Sequence, residues 1–289
     1  MPTYRLTIEY DGSKFSGWQT QIRHRTVQGT LTAALGEVLG DCRFSLQGAG
    51  RTDAGVHALA QVASLRCRQP LDIPVVLGRL ERVLSSDLAV LDIRPAPDRF
   101  HARHDAAARS YLYQLSRRRS AFGKRVTWWV ADPLDLESMR AAADHFAGRH
   151  DFAGFARSGH QAPSTIVVVD GCQLWEVGEL VLLRIVASHF LWGQVRRMVG
   201  ALVAVGRGAA DPADVPRWLS GETSPPEPAA PASGLFLEAV LYPGDPRELP
   251  PPVPVGVPWS LPAATADDRP RAGPRQRAAR SRDGRRRRA

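Results

Sequence analysis

The sequence has little cysteine and no long hydrophobic run. Its three cysteines, Cys42, Cys67 and Cys172, form no C-x-x-C pair, which argues against a disulfide framework and against a zinc site. The longest apolar runs, at 166–169 and 198–205, are far shorter than the roughly 18 residues that a membrane-spanning helix needs. The first residues enter a strand pattern and lack the charged and apolar regions of a signal peptide. We therefore expect a cytoplasmic protein with no membrane contact.

Lysine is almost absent, so arginine carries the positive charge. Only Lys14 and Lys124 are lysines among 38 basic residues, and the formal net charge is +9. Residues 261–289 hold ten arginines against three aspartates, a net charge of +7, which leaves +2 for residues 1–260. A strongly basic chain usually has an anionic partner such as nucleic acid. Because most of this charge lies in residues 261–289, a nucleic-acid partner for residues 1–260 must be inferred from local clusters of basic side chains and not from the net charge.

The pattern of strands and helices predicts an α+β fold. Period-two alternation predicts strands at 4–10 and 61–66. Further strands are predicted from near residue 42 and at 88–93, 108–116, 165–177, 180–187 and 235–241. Helical periodicity and a Thr26 N-cap predict helices at 26–39, 74–84, 136–146 and 190–205. We divide the chain into two similar halves, 1–106 and 107–242. Proline density and arginine content predict a disordered tail at 243–289.

A glycine-rich segment between two predicted strands concentrates the chemistry. Residues 48–55, Gly-Ala-Gly-Arg-Thr-Asp-Ala-Gly, combine flexible backbone with one cation and one carboxylate. An isolated G-x-G is most often a surface turn, here with an Arg–Asp pair. A dinucleotide-binding loop is a poorer interpretation, because G-x-G-x-x-G should open a helix and a strand follows here.

The run G-A-G-R-T-D-A-G-V-H-A at 48–58 resembles the signature of the tRNA pseudouridine synthase A family. Further blocks resemble the family in the same order, at 10–19, 26–28, 108–113, 148–152, 190–196 and 231–235. The resemblance covers roughly residues 3–242. It implies the pseudouridine synthase fold, in which two pseudo-repeated α/β halves share a mixed, mostly antiparallel sheet with a central active-site cleft.

The resemblance also implies a reaction. Family members isomerise uridine to pseudouridine at positions 38, 39 and 40 of the tRNA anticodon stem-loop, with no cofactor and no metal. A carboxylate must add covalently to the uracil ring or to the anomeric carbon, and the resemblance assigns this role to Asp53. It pairs Arg196 with Asp53, because a nearby cation favours the charged form of a carboxylate.

The remaining site residues concern the RNA. A uridine in a stem must be flipped out of the helix, and the resemblance gives Arg51 a part in flipping and places Tyr111 against the base. We assign Lys14, Gln19, Arg23 and His57 to substrate binding, although packing accounts better for His57. The family works as a homodimer whose shared basic groove holds one tRNA.

Alternative roles and functions stay open at the level of sequence. Arg196 also fits a solvated arginine on a helix, and Tyr111 also fits a half-buried strand aromatic. A catalytically dead RNA-binding protein is a second function, and a hydrolase with an Asp nucleophile, such as a glycosidase, is a third. One residue departs from the family pattern, since Gln194 replaces the usual methionine before the Val-Arg pair.

Overall fold

The computed structural model describes residues 1–157, 159, 164–226 and 228–257, and in this part of the chain ten strands form one sheet. The strands are β1 Thr3–Tyr10, β2 Phe44–Gly48, β3 His57–Cys67, β4 Leu88–Ala96, β5 Ala108–Ser116, β6 Trp128–Trp129, β7 Gly148–Asp151, β8 Ile166–Val177, β9 Leu180–Ala187 and β10 Leu235–Leu241. The helices are α1 Val27–Leu39, α2 Ile73–Val83, α3 Leu136–Asp144, α4 Gln194–Gly206 and α5 Asp214–Leu219. Across the described ranges, no helix has the length and apolarity to cross a membrane.

The sheet is mixed and mostly antiparallel. Its main order is β4-β1-β3-β10-β5-β9-β8-β7, with β2 paired to β3 and β6 paired to β5. Only the β10–β3 and β5–β6 pairs are parallel among the strands described. The predicted α+β class and sheet type are confirmed.

One edge of β3 is shared by two strands, and this arrangement places the glycine-rich loop. β1 pairs along β3 on one side, so β2 and β10 lie on the other. β2 pairs with residues 63–67 of β3, whereas β10 pairs with His57 and Ala58. Along this edge of β3, the partner changes from β2 to β10. The loop between β2 and β3, residues 49–56, leaves the sheet at this change of partner, near the centre of the sheet.

Two hydrophobic cores flank that centre. Helices α1 and α2 pack on the first core through residues such as Leu35 and Leu80, and α3 and α4 pack on the second through Met139 and Met198. Tyr111 of β5 contacts both cores. The boundary at residue 106 stays a prediction, because β10 of the second half also pairs with β3 and packs in the first core.

The structure differs from the predicted elements at α4. The helix begins at Gln194 and not at residue 190, because Gly193 adopts a left-handed conformation with φ 76°. Residues 190–193 thus form a turn in front of the helix. The sequence patterns also missed β6 and β7, which are too short to show alternation.

The folded part of the chain extends past residue 242. Residues 243–257 form a strap, the name used below for this segment, and it crosses the sheet. Gln114 of β5 donates to the Val255 carbonyl at 3.0 Å and accepts from its N–H at 2.7 Å. The prediction that disorder begins at 243 is therefore wrong for the strap, because long-range bonds offset its high proline content. Residues 258–289 lie outside the described residues.

Candidate active site

A cleft of about 640 Å³ opens above the centre of the sheet. Its walls are the loop 49–56, the start of β5 and residues 189–196. Side chains alternate between the two faces of a strand, so Arg109, Tyr111 and Tyr113 of β5 lie on the face with the cleft. We call this the cleft face, and the opposite one, with Leu112 and Gln114, the back face.

The loop that carries Asp53 is held by close backbone packing. Trp18 is buried, and its backbone N–H donates to the Thr52 carbonyl at 3.0 Å. A Cβ at Gly48 would lie 2.5 Å from the Trp18 indole, and Gly17 has a φ of 91° with the same Thr52 carbonyl beside it. Glycine is required at both positions, because a side chain at either one would push the segment with Gly17 and Trp18 away from the loop 49–56 and the end of β2.

Polar side chains below the loop complete its support. The hydroxyls of Tyr10 and Thr52 share a hydrogen bond of 2.8 Å, and Gln61 donates to the Gly50 carbonyl at 3.0 Å. Burial raises the pKa of Tyr10 to about 12, so its hydroxyl stays protonated. Arg109 donates to the Ala49 carbonyl at 3.2 Å. Each bond fixes the backbone beside Asp53.

One side chain from the turn in front of α4 and one from its first turn contact the Asp53 carboxylate. The indole Nε1–H of Trp192 donates to Oδ1 at 2.9 Å, and Nη1 of Arg196 lies 3.7 Å from Oδ2. Arg196 is itself held, since its Nε donates to the Ala230 carbonyl at 2.6 Å. The Asp53 side chain is 27% exposed. The structure thus brings together the acid and the cation that were paired from the sequence.

Tyr111 offers an aromatic surface beside this carboxylate. Its ring meets Phe190 edge to face, with centroids 5.1 Å apart. Burial raises the pKa of the Tyr111 phenol above its ordinary value, and the charge of Asp53 adds to this. Tyr111 is therefore neutral near pH 7, and it lines the cleft.

The cleft contains more cations than anions. Its charged lining consists of Arg51, Arg103, Arg109, Arg157, Arg196 and one carboxylate, Asp53, among the described residues. Burial and the neighbouring arginines lower the pKa of His189, which also lines the cleft. Elsewhere in the described chain, as here, no group of three or more His, Cys, Asp and Glu side chains is placed to hold a metal ion. Such a cleft favours an anionic ligand.

Comparison with known proteins decides the family. A family model described as tRNA pseudouridine synthase matches residues 6–105 and 142–243. A protein of Maricaulis maris with the name tRNA pseudouridine synthase A is 43% identical over 248 residues, which cover 84% of this chain and 99% of the relative. One of the same name from Pelobacter propionicus is 40% identical over 246 residues, or 84% of this chain and all of the relative. The chain belongs to the tRNA pseudouridine synthase family. It is an isomerase, and the resemblance seen in the motifs is confirmed.

The other residues assigned to the RNA from the sequence differ in where they lie. Arg51 and Gln19 line the cleft, and Gln19 donates to the Gln28 amide oxygen at 2.8 Å. Lys14 is exposed on the turn Gly12–Lys14, and Arg23 is exposed with a φ of 65°. Neither of these two lines the cleft, so any contact they make with RNA is outside it.

His57 is not in the cleft, which corrects its assignment to substrate binding. The side chain is 2% exposed and stacks on Phe236 at 4.7 Å. Its Nδ1 accepts from the Gly12 N–H at 3.1 Å, and its Nε2 lies 2.8 Å from the Arg125 carbonyl. Burial lowers the pKa of His57, and both ring nitrogens are occupied. Packing, the role favoured from the sequence, accounts for this histidine.

Two residues that shape the site, Trp192 and Arg109, received no role from the sequence patterns. Both lie within segments that carried the resemblance, at 190–196 and 108–113, but nothing in those patterns indicates which loops they contact. Gln194, the departure from the family pattern, is buried and accepts from the Leu191 N–H at 2.8 Å. Its side chain therefore closes the turn that presents Trp192.

Proposed function

We propose that this protein converts uridine to pseudouridine in tRNA, with Asp53 as the covalent nucleophile. The observation that carries the proposal is the position of Asp53, the one carboxylate among the described residues of a cationic cleft, paired with Arg196. The relatives named tRNA pseudouridine synthase A support tRNA as the substrate. We propose positions 38, 39 and 40 of the anticodon stem-loop as the uridines.

The reaction is an isomerisation, so atoms and electrons balance without a donor. The bond from C1′ of ribose to N1 of uracil breaks and a bond from C1′ to C5 forms, while C5 loses a proton and N1 gains one. Asp53 adds to the uracil ring or to C1′ and is released at the end, which divides one difficult step into easier ones. Either site of addition is compatible with a carboxylate at the cleft wall.

The remaining lining residues bind and orient the base. The uridine is flipped from the stem into the cleft, where Tyr111 supplies a stacking surface and Arg51 fills the gap left behind. Arg196 keeps a positive charge beside the carboxylate. Lys14 and Arg23, on the surface outside the cleft, contact the RNA backbone. Gln19 contacts the nucleotide from the wall that it lines.

The assembly completes this proposal. We propose a homodimer in the cytoplasm, in which two subunits hold one tRNA, because RNA of that size extends far beyond one cleft of about 640 Å³. A glycosidase-like hydrolase is less well supported, since such enzymes commonly use two carboxylates about 5 to 9.5 Å apart. The described lining residues supply one.

Replacement of Asp53 tests the proposal. Asp53→Asn removes the nucleophile with little change in volume, so we expect pseudouridine formation in an unmodified tRNA transcript to fall on the order of 10³-fold or more. Binding of the transcript should stay close to that of the unchanged protein. Asp132→Asn is the matched control, because Asp132 also pairs with an arginine, Arg207, but lies outside the cleft. Activity of Asp53→Asn within tenfold of the unchanged protein would contradict the nucleophile assignment.

A transcript with cytidine at positions 38, 39 and 40 tests the site of modification. The unchanged protein should form no pseudouridine in it. Pseudouridine elsewhere in that transcript would contradict the proposed positions and leave the proposed chemistry standing.

A further inference from the structure

Two side chains of the described residues contact the Asp53 carboxylate, and the contact from the Trp192 indole is the shorter one. Its Nε1–H donates to Oδ1 at 2.9 Å, whereas Arg196 lies 3.7 Å from Oδ2. The first distance is that of an ordinary N–H···O hydrogen bond and the second is too long for one. The two carboxylate oxygens therefore have different partners: Trp192 fixes the position of Oδ1, and Arg196 provides charge beside Oδ2.

An indole N–H does something that a second cation would not. It only donates and does not titrate, so it fixes the direction of the carboxylate without adding charge to a cleft already rich in arginine. A carboxylate that is 27% exposed would otherwise rotate, because the terminal torsion of aspartate is broad. Holding a reacting group in one geometry lowers the barrier of the step it takes part in.

Three interactions hold Trp192 and the turn that carries it. Gln194 closes the turn in front of α4 by accepting from the Leu191 N–H at 2.8 Å. The Arg157 N–H donates to the Trp192 carbonyl at 2.8 Å, and the Arg157 guanidinium lies 4.5 Å from the centre of the indole. The indole is 43% exposed and lines the cleft. Its N–H therefore has a defined direction even though much of the ring contacts solvent.

We infer that Trp192 is a positioning residue for the Asp53 nucleophile. The indole N–H holds Oδ1 and leaves Oδ2 for the carbon that the carboxylate attacks. This inference rests on the proposed function, because it acts through the carboxylate that we propose reacts. Its effect is on the rate of the chemical step and not on the affinity for tRNA.

Trp192→Phe removes the N–H and keeps an aromatic ring for Arg157. A hydrogen bond to a charged group is lost, so we expect kcat to fall about 10- to 100-fold with the KM for tRNA unchanged. Trp129→Phe is the matched control. Trp129 is 44% exposed and Arg119 lies 5.5 Å from its ring centre, but it does not line the cleft. Its variant should retain the kcat of the unchanged protein.

A spectroscopic measurement tests the bond without activity. In protein labelled with ¹⁵N at tryptophan, Trp192→Phe identifies the indole signal of Trp192 among the seven tryptophans. Asp53→Ala removes the acceptor, so this signal should shift upfield, while the signal of Trp129 stays in place. This readout needs no catalytic activity, because it compares the indole signal of the unchanged protein with that of Asp53→Ala.

The outcomes separate the inference from the proposed function. A Trp192→Phe protein with unchanged kcat overturns the inference, whether or not the indole signal shifts. If Asp53→Asn is inactive at the same time, the assignment of Asp53 as the nucleophile still holds. A raised KM with unchanged kcat also overturns it, because Trp192 would then bind RNA and not position Asp53. Full activity of Asp53→Asn instead overturns the nucleophile assignment of the proposed function, on which the inference rests.

Discussion

Two buried arginines on opposite faces of the same sheet have different partners. On the back face, Arg184 of β9 donates from Nε to Glu238 of β10 at 2.7 Å, and both side chains are largely buried. On the cleft face, Arg109 of β5 donates to four backbone carbonyls, those of Ala49, Arg103, Ala106 and Ser188. Arg184 is neutralised by a carboxylate, whereas these four partners of Arg109 are neutral.

The two faces differ in how far they are covered and in how their charges are paired. Around β5 and β10 the back face is covered: its buried charge is paired, and Val255 and Val257 of the strap pack near Leu112 and Phe236. The cleft face is open, and a single carboxylate among its described lining residues faces several arginines. Burial lowers the pKa of Arg109, but an arginine stays charged at pH 7. An anionic ligand such as RNA would complete the cleft face.

The comparison predicts that breaking the back-face pair lowers stability and leaves chemistry intact. Glu238→Ala leaves Arg184 buried with carbonyl partners such as that of Pro250 at 2.8 Å. We expect the free energy of unfolding to fall by about 3 to 5 kcal/mol. Urea unfolding measures this loss, and activity per folded molecule should be unchanged below the transition.

The double variant Arg184→Met, Glu238→Leu is the control for that prediction. Replacing both partners of a buried pair with apolar residues is often close to neutral, so most of the lost stability should return. A double variant as unstable as Glu238→Ala would mean that the cost comes from packing against the strap and not from the unpaired charge.

Two adjacent residues of β5, one on each face of the sheet, test the same comparison of the two faces, with smaller expected effects. Tyr111 faces the cleft, and base–aromatic stacking is worth about 1 to 3 kcal/mol, so Tyr111→Ala should lose more activity than Tyr111→Phe. Leu112 faces the back and is buried, so Leu112→Ala should lower the free energy of unfolding by about 2 to 5 kcal/mol at little cost in activity. Equal activity of Tyr111→Ala and the unchanged protein would assign Tyr111 to packing alone.

Local patterns were enough to predict most strands and helices. Residues 108–116 predict β5 with its observed bounds. The start of α4 could not be predicted in this way. The apolar periodicity continues unbroken from 190 to 195, whereas the turn depends on the left-handed Gly193 and on the Gln194 side chain.

Residues of the site could be predicted only at positions to which the family resemblance gives a role. Asp53 and Arg196 were paired through the resemblance, and the structure places them together. Trp192 is 139 residues from Asp53, and no periodicity links residues so distant. The strap was missed for the same physical reason. Its prolines indicate disorder, but Gln114, 141 residues away, supplies both of the bonds that hold Val255.

The smallest effect is expected for the last segment, residues 258–289, which follow the strap in the sequence. Their net charge is +7, and the described chain ends at Val257 beside Gly123, next to Lys124 and Arg125. Val257 therefore lies at a basic turn. Arginines that contact RNA release counterions, and each phosphate contact adds about 0.7 to 0.9 to the slope of log affinity against log salt.

A chain ending at Val257 should bind tRNA more weakly than the full chain, with a shallower salt dependence, because it loses these contacts. Its melting temperature and its turnover at saturating tRNA should be unchanged, since the strap remains. A chain ending at Tyr242 is the comparison: it also loses the strap, so Gln114 loses both bonds to Val255 and the protein should unfold at a lower temperature. Affinity measured across a salt series decides the role of the arginines. Superimposable lines for the full chain and the chain ending at Val257 would show that the terminal arginines do not touch RNA.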